Sequence, residues 1–368
     1  MKSKRIKLII FHPYSRIGGA DKSLSRLINE LDSNKYDIIF ITLQKAYIKS
    51  YLKKKIKIIN LKSSRTIFSI LKVRKLLEKI SVNEKLIFFS NQNFANIISF
   101  LILYNFKNIK HVIFERNHID ELDISENIFD KYKKRIIKFL ISILYRRADL
   151  ILGNAKKLSI DLSKITKTKV HTIYNPAFDT EIFRLSKKKK INIKKKNIIL
   201  NVGRLEVQKD QLTILKAIKN IDNTFLIIIG YGSKKKELLD YININNLKNR
   251  VIILDNIKNP YPYFKISNLF ILSSLYEGFP NVLTEALMFK LPIISSNCNS
   301  GPSEILLQKK GAQIFKKGNH KDLEKKIKEF LKNRKIIQKR TNYLYSKLKR
   351  FEKKKIIKKY SNIFKRLI

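Results

Sequence analysis

The sequence predicts an α/β protein made of two doubly wound parallel sheets, and three observations support this prediction. Short apolar runs recur along the 368 residues and are typical of strands buried on both faces. Amphipathic stretches separate these runs, and strand–helix alternation of this kind favours parallel sheets. The charged stretch SKKKKINIKKKN (186–197) interrupts the alternation, which then restarts. The simplest architecture is therefore two similar halves joined by a basic linker.

The strands of each half are predicted by continuous runs of β-branched and aromatic residues. DKSLSRLINEL (21–31) is a predicted helix after the first strand, and the chain from residue 327 onward has helical periodicity. The predicted strands of the first half are IKLIIF (6–11), YDIIFITL (36–43), KIKIINL (55–61), EKLIFFS (84–90), HVIFER (111–116), ADLILGNA (148–155) and KVHTIYN (169–175). Those of the second half are NIILNVGRL (197–205), TFLIIIGYG (224–232), RVIILDN (250–256), LFILSS (269–274) and LPIISSN (291–297).

These runs divide the chain into four segments. We expect one Rossmann-like domain over 1–180, a basic linker over 181–196 and a second Rossmann-like domain over 197–345. The remaining segment, 346–368, is a predicted helix that packs back toward the N-terminal domain. Ligands of such sheets bind outside the carboxyl ends of the strands, so we expect the site in a cleft that the two domains face.

Composition limits the classes of partner and location. The formal charge is +50, from 79 Lys+Arg against 29 Asp+Glu, which favours an anionic partner or reflects a residue bias of the whole genome. Cys298 is the single cysteine and fits a reducing compartment. The N-terminus reads as a buried strand, and no apolar run approaches the ~18–20 residues that span a bilayer. We therefore expect a cytoplasmic protein.

Two loops after predicted strands are candidates for binding an anion. Gly18-Gly19-Ala20-Asp21 lies between the first strand and a helix, where backbone N–H groups and the helix dipole attract negative charge, although such a turn is often only structural. NVGRLEVQKDQ (201–211) repeats the arrangement in the second half. There Arg204 can fork onto phosphate oxygens and Lys209 can act as a point charge, or both are ordinary solvated side chains.

The stretch SSLYEGFPNVLTEALMF (273–289) places two carboxylates around a predicted helix start. Asn281 is the predicted N-cap, Glu277 stands in the preceding loop and Glu285 lies in the helix. Backbone N–H groups there could receive a diphosphate, and a carboxylate could accept hydrogen bonds from sugar hydroxyls. Alternatively, both glutamates only complement the helix dipole. The candidate binding residues of this stretch are Gly278, Phe279, Asn281, Val282, Leu283 and Glu285.

Together these motifs resemble a known family. EGFPNVLTEA (277–286) is similar to the Glu-x7-Glu signature of the family-4 retaining glycosyltransferases, which have the GT-B fold. The resemblance covers most of the chain, and SGPSEIL, preceded by SSNCN, looks like the branch that uses amino-sugar donors in surface-polysaccharide and lipopolysaccharide assembly. The other matching motifs are Gly18-Gly19-Ala20, IYNPAFDTEIF (173–183), NVGRLEVQKD (201–210), GYG (230–232) and NPYPYF (259–264).

The resemblance implies roles for single residues. Glu285 would bind the ribose hydroxyls of a nucleotide sugar, Glu277 would contact the transferred sugar, and Arg204 and Lys209 would neutralise the diphosphate. Gly19, beside Gly18, would allow close approach of the first domain's backbone. That first domain would bind the acceptor and the second the donor.

A further sugar contact is implied in FERNHIDEL (114–122), where the alignment leaves Arg116, Asn117 and His118 open; we favour His118. Asp255 stands where the family usually has glycine near the base, which leaves the base undecided. No cofactor or metal ion is implied, and the histidines and the cysteine show no metal-ligand spacing.

The implied reaction is front-face displacement on a nucleotide-diphosphate sugar, with a glycan or lipid-linked glycan as acceptor. The donor would be a UDP-sugar, with an N-acetylhexosamine as one candidate. A nucleotide-sugar epimerase of related fold is the alternative enzyme. A nucleic-acid-binding protein is disfavoured because the lysines are spread along the chain and no zinc-finger or RNP-type motif occurs.

The helical stretch KYKKRIIKFLISILYRR (131–147) combines apolar residues with basic ends. Its apolar residues, Ile136, Ile137, Leu140, Ile143 and Leu144, could pack onto the sheet or lie on an anionic membrane. We expect packing onto the sheet, with the flanking lysines free to meet lipid. The enzyme would then be peripheral on the inner face of the cell membrane.

Overall fold

The computed structural model describes residues 5–16, 18–80, 85–255, 257–307 and 312–368, which fall into two compact units. The first unit contains the chain up to Pro176 together with Lys353–Ile368, and the second contains Ala177–Glu352. The strands are β1 Ile6–Phe11, β2 Tyr36–Thr42, β3 Lys57–Asn60, β4 Leu86–Asn91, β5 Ile109–Glu115, β6 Leu150–Gly153, β7 His171–Thr172, β8 Ile198–Val202, β9 Phe225–Ile229, β10 Val251–Leu254, β11 Leu269–Leu272, β12 Ile293–Ser296 and β13 Gln313–Phe315.

The helices connect these strands in the alternation expected from the sequence. Among the described residues, none of the helices combines the length and the apolar character needed to cross a bilayer. The helices are α1 Gly19–Glu30, α2 Ile70–Ile80, α3 Asn93–Ile102, α4 Ile128–Leu144, α5 Lys156–Thr166, α6 Glu181–Ser186, α7 Gln211–Ile218, α8 Lys235–Ile244, α9 Tyr261–Ile266, α10 Asn281–Met288, α11 Gly301–Ile305, α12 His320–Lys332, α13 Arg334–Ser346 and α14 Lys353–Leu367.

The first unit is a seven-stranded parallel sheet with the order β3-β2-β1-β4-β5-β6-β7. Successive side chains of β1 enter different cores: Leu8 and Ile10 pack with α1 and α14, whereas Ile9 and Phe11 pack with α2 and α3. This alternation explains why β1 is apolar at four successive positions from Leu8 to Phe11, because both faces of the strand are covered by helices there.

The C-terminal helix α14 belongs to this first unit. The Tyr36 hydroxyl lies 3.0 Å from Oγ of Ser361, and the Lys353 ammonium lies 2.8 Å from Oε1 of Glu30. Phe364 is fully buried against the sheet. These contacts attach the end of the chain to the sheet formed by its beginning.

The second unit is a six-stranded parallel sheet with the order β10-β9-β8-β11-β12-β13. Helices α7 and α12 cover one face through residues such as Ile214 and Ile327, which share a core with Ile199. The segment 181–196, expected as a basic linker, contains α6 and is grouped with this unit.

Both sheets confirm the predicted fold class of doubly wound parallel sheets. In each sheet the chain winds outward from a central strand in two directions, so that β1 and β4 are neighbours in one and β8 and β11 in the other. Ligands of such sheets bind at this reversal, outside the carboxyl ends of the central strands. In the second unit, that location brings the loops after β8 and β11 together.

Candidate functional site

The loop after β8 is fixed to the loop after β9 by main-chain hydrogen bonds. The Leu205 N–H donates to the Tyr231 carbonyl over 2.8 Å, and the Lys234 N–H donates to the Leu205 carbonyl over 2.9 Å. At Gly232 a Cβ atom would lie 2.3 Å from the Leu205 carbonyl oxygen, so the loops approach this closely only because residue 232 is glycine. Arg204 is therefore held on a rigid turn.

Gln208 connects the loop after β8 with the loop after β11. Its side-chain oxygen accepts a hydrogen bond from Nη2 of Arg204 at 3.0 Å, and its amide nitrogen donates to the Tyr276 carbonyl at 3.0 Å. Its main-chain carbonyl also accepts from the Leu275 N–H at 2.8 Å. The sequence analysis gave Gln208 no role, and no local pattern around it indicates these contacts.

The carboxylate of Glu277 lies beside the cation predicted to act with it. Its Oε1 atom forms an ion pair with the Lys209 ammonium and accepts a hydrogen bond from the Ser274 hydroxyl at 2.7 Å. Within the described part of the chain, no group donates to its second oxygen, Oε2. Both side chains are largely buried, with 17% of Lys209 and 7% of Glu277 exposed. The structure thus places a preoriented carboxylate and a cation at the carboxyl edge of the sheet.

The helix that follows Glu277 begins one residue earlier than expected. Asn281 is the first residue of α10, and Pro280 occupies the N-cap position without a side-chain hydrogen bond. The prediction that Asn281 is the N-cap was wrong, because the extended backbone of Pro280 (φ −74°, ψ 99°) already ends the loop. The Leu283 N–H donates to the Pro280 carbonyl at 3.1 Å. Of the neighbouring candidates, Phe279 lies in the loop before Pro280 and Val282 lies in the first turn of α10.

Gly278 and Gly301 bring the loops after β11 and β12 into direct contact. The Gly301 N–H donates to the Gly278 carbonyl at 2.7 Å, and a Cβ atom on Gly301 would lie 2.1 Å from that oxygen. Ser296 and Cys298 also bind this region, since both side chains donate to the Ser274 carbonyl, at 2.6 and 2.8 Å. Burial raises the pKa of the Cys298 thiol to about 12, so it stays protonated as a donor.

Glu285 lies inside α10 with 3% of its surface exposed. Its Oε1 atom accepts a hydrogen bond from the Tyr261 hydroxyl at 3.0 Å. Tyr261 begins α9 in the NPYPYF motif, and its ring packs against Phe264 and Phe289. The sequence analysis noted the motif without a role for Tyr261; the structure shows that this tyrosine orients the carboxylate.

In the first unit, the glycine loop lies at the carboxyl end of the central strand β1. Gly18 has extended backbone (φ 175°), and a Cβ atom there would meet nothing within 4 Å. Gly19 begins α1, and Asp21 in the first turn accepts hydrogen bonds from the Ser15 hydroxyl and the Arg16 N–H, both at 2.7 Å. The space beside Gly18 is therefore open, while Asp21 closes the loop.

The three alternatives after β5 have different surroundings. His118 is 3% exposed, and both ring nitrogens lie 3.0 Å from carboxylates, those of Asp120 and Asp161. Nε of Arg116 donates to Asn91 at 3.1 Å, and its guanidinium lies over the Phe114 ring. Burial lowers the pKa of Arg116 to about 10. Asn117 instead donates to Glu121 at 2.9 Å.

The second unit thus brings together Arg204, Lys209 and Glu277, which lie 73 residues apart at most in sequence. Among the described residues, no cluster of three or more histidine, cysteine or acidic side chains could hold a metal ion. A cation pair beside an oriented carboxylate can bind a phosphorylated, hydroxyl-rich ligand.

The two doubly wound sheets match the GT-B class of glycosyltransferases. The structure superposes on Anabaena HepE in complex with UDP-glucose with a TM-score of 0.80, 15% identity and coverage of 98% of this chain and 99% of that chain. Residues 183–355 match the family described as Glycosyl transferases group 1.

Two relatives are similar over most of their length. An uncharacterized glycosyltransferase of Methanocaldococcus jannaschii is 33% identical over 307 residues, covering 77% of this chain and 73% of its own. The N-acetylgalactosamine-N,N'-diacetylbacillosaminyl-diphospho-undecaprenol 4-alpha-N-acetylgalactosaminyltransferase of Campylobacter jejuni is 29% identical over 293 residues, covering 78% of both chains. The chain belongs to the Glycosyl transferases group 1 family and is a glycosyltransferase.

Proposed function

We propose that the protein is a retaining glycosyltransferase of surface-polysaccharide assembly that transfers an N-acetylhexosamine from a UDP-sugar to a lipid-linked glycan. The observation that carries the proposal is the position of Glu277, held by Lys209 and Ser274 at the carboxyl edge of the sheet, with Arg204 linked to the same loop through Gln208. Support for the donor and acceptor classes comes from the names of the Campylobacter and Anabaena proteins.

Each site residue has a role in this proposal. Arg204 and Lys209 neutralise the diphosphate as it leaves, and the main chain from Gly278 to Leu283 lines its path. Glu277 accepts a hydroxyl of the transferred sugar through Oε2, and Glu285, oriented by Tyr261, accepts the ribose hydroxyls. Oriented charges of this kind stabilise the transition state without reorganisation.

The first unit supplies the acceptor side. Gly18 and Gly19 allow the main chain to approach the transferred sugar, and His118 is the favoured side-chain contact, with Arg116 and Asn117 as alternatives. The leaving diphosphate takes the proton of the acceptor hydroxyl as the new glycosidic bond forms on the same face. Neither a cofactor nor a metal ion takes part in this scheme, so transfer persists in excess EDTA.

A donor screen followed by a transfer assay tests the proposal. Thermal unfolding is measured with UDP- and GDP-sugars, since a ligand at 100 times its Kd stabilises by about 2.7 kcal/mol. We expect a UDP-N-acetylhexosamine to stabilise the protein and to give an α-linked product by NMR. An Arg204→Met variant should lose this stabilisation, while the control Arg340→Met, an exposed position on α13, should keep it. A β-linked product would exclude retention, and isomerised donor without transfer would indicate an epimerase.

The buried, free Cys298 fits the reducing cytoplasm, where we place the enzyme. Fractionation of cells that express the protein at native level tests this location.

A further inference from the structure

Helix α4 of the first unit presents large apolar side chains to solvent. Its inner face packs through Ile141, which is the only buried residue among those described in this helix. On the opposite side, five large apolar residues are between 59% and 81% exposed. We call this set the α4 outer face: Ile128, Phe129, Tyr132, Ile136 and Phe139.

The five residues form one stripe. At about 100° per residue, their positions fall within an arc of about 100° on the helix surface, centred opposite to Ile141. The sequence analysis expected the apolar residues of this helix to pack onto the sheet. Leu140 and Leu144 do so, but Ile136 points away from the core, so that expectation was only partly correct.

Basic residues border the stripe on both sides. Helix α4 and the turn after it contain seven basic residues and one acidic residue between positions 128 and 147. Lys134 and Lys138 form salt bridges with aspartates, both at 2.8 Å. Lys131 and Arg135 form no salt bridge with any residue that the structure describes, and both are exposed. The outer face is therefore apolar in the middle and positively charged at its edges.

Exposed apolar residues continue from α4 onto the neighbouring helices α3 and α2. Helix α3 packs between α2 and α4 on the same side of the sheet. Leu101 in the last turn of α3 and Tyr104 just after it are more than half exposed, and so are Phe68 just before α2 and Leu71 in its first turn. Exposed apolar patches of this extent mark interaction sites on proteins.

We propose that the α4 outer face binds the surface of a bilayer that contains anionic phospholipid. A helix of this kind lies in the plane of the interface, with its apolar side chains among the acyl chains and its basic side chains at the headgroups. The stripe with basic borders matches both layers, since Phe129 and Phe139 reach the acyl region while Lys131 and Arg135 meet phosphate. The biological use of the surface rests on the proposed function, because a lipid-linked acceptor lies at such a surface.

Charge decides between a bilayer and other occupants. A second copy of this chain, whose formal charge is +50, would bring like-charged borders together across an apolar contact. A nucleic acid would match the lysines but would leave the phenylalanine and isoleucine side chains without an apolar partner. The observations therefore favour the lipid surface.

Co-sedimentation with vesicles tests the proposal, without donor or acceptor. We expect the full chain to bind phosphatidylcholine vesicles containing phosphatidylglycerol and to bind pure phosphatidylcholine much more weakly. A triple variant, Lys131→Ser/Lys133→Ser/Arg135→Ser, should lower the partition coefficient on the order of a hundredfold, since each basic residue near such a surface contributes a factor of about five. A second triple variant, Phe129→Ser/Ile136→Ser/Phe139→Ser, should reduce binding at least about tenfold.

The matched controls lie on α13 of the second unit, which also exposes basic and apolar residues. Lys335→Ser/Lys339→Ser/Arg340→Ser and Ile336→Ser/Tyr343→Ser should bind within about twofold of the unchanged protein. All variants replace exposed side chains, so thermal unfolding should be unchanged and shows that they fold; a single Tyr132→Ser change serves if a triple variant fails to fold.

Three results would overturn the inference. These are equal binding to both vesicle types, an equal loss in the α13 controls, and a dimer of the unchanged protein that the Phe129 triple variant converts to monomer. Because binding is measured without substrate, a failure of this surface is distinguishable from a failure of the proposed reaction. Transfer to a short-chain, water-soluble acceptor should be retained by both α4 variants, and only transfer to a vesicle-embedded acceptor should fall.

Discussion

The ion pair between Lys209 and Glu277 allows a double-mutant cycle that separates stability from catalysis. The two changes are Lys209→Met, which removes the ammonium and keeps the chain length, and Glu277→Gln, which removes the charge and keeps the shape. In the lysine variant the Glu277 carboxylate stays buried with Ser274 as its remaining donor. In the glutamine variant the ammonium keeps its contact with water, since 17% of Lys209 is exposed.

The burial of the pair sets the expected magnitudes. Removing one partner of a buried pair costs about 3–5 kcal/mol, and we expect about 3 kcal/mol for Lys209→Met because Ser274 still binds the carboxylate. Glu277→Gln should cost about 1 kcal/mol, because a partly exposed ammonium is solvated. The double variant should cost about 2 kcal/mol, which gives a coupling energy of about 2 kcal/mol. For a unit of this size, Lys209→Met should lower the Tm by about 6–12 °C.

The two variants should affect different steps of the reaction, UDP binding in one and turnover in the other. Lys209→Met should weaken UDP binding by about 10- to 150-fold, as expected for a lost charged hydrogen bond of about 1.5–3 kcal/mol. Glu277→Gln should leave UDP binding at least as tight, because the ammonium is released from its partner. Its kcat should fall by about 10²–10³, the loss typical when one oriented group of the transition state is removed. Calorimetric UDP titration and single-turnover transfer measure the two effects.

An exposed ion pair of the same unit provides the control. Lys235 and Asp255 form a salt bridge in which each side chain is about 40% exposed, so Lys235→Met should change stability by less than about 1 kcal/mol. The reasoning would be refuted by turnover of Glu277→Gln within about threefold of the unchanged enzyme. It would equally be refuted by a coupling energy near zero, which would mean that the buried contact contributes nothing.

Three further predictions concern glycine and buried ionisable groups. Gly301→Ala should destabilise by about 3 kcal/mol in urea unfolding, because its Cβ would lie 2.1 Å from the Gly278 carbonyl oxygen, whereas Gly18→Ala should be neutral for stability and lower only transfer. Burial raises the pKa of Glu115 to about 7, so the protonated carboxyl's contribution to stability is lost as pH rises from 4.5 to 7. Glu115→Gln has no such loss, so over that rise its free energy of unfolding should increase by about 3 kcal/mol relative to that of the unchanged protein. Burial lowers the pKa of His111 to about 3, so the neutral ring's contribution to stability is lost as pH falls below 6.5. When pH is lowered from 7.5 to 5, the free energy of unfolding of His111→Gln should therefore fall by about 2 kcal/mol less than that of the unchanged protein.

The fold was predictable because its strands have no polar face. A run such as Leu8–Phe11, which is apolar at four successive positions, is favoured only when helices cover both sides, so the pattern identifies strand and environment together. The order of loops along the sheet also follows, since a doubly wound sheet places β8 beside β11. The sequence analysis assigned Arg204 and Glu277 to one site through the family resemblance, and this adjacency explains why their loops are neighbours.

Side-chain contacts between those loops could not be predicted. Gln208 joins Arg204 to the main chain at Tyr276 through the register of two strands that are far apart in sequence, and no local pattern records that register. For a related reason, the sequence analysis left the orientation of α4 open between the sheet and a membrane and favoured the sheet. A helix that is apolar on two faces has no single favoured orientation, so periodicity alone could not show that Ile136 points outward.

The use of acidic residues in this basic chain supports the proposed site. Only 29 acidic residues oppose 79 basic ones, yet Asp21, Glu277 and Glu285 are at least 94% buried, where an unpaired carboxylate is costly. Each accepts hydrogen bonds from a hydroxyl group: that of Ser15, of Ser274 or of Tyr261. Acids that served only to balance surface charge would gain more in solvent beside the abundant lysines. Carboxylates fixed in one orientation in the loops and helices that directly follow central strands are arranged for a ligand, because orientation held before binding lowers the cost of reaching the transition state.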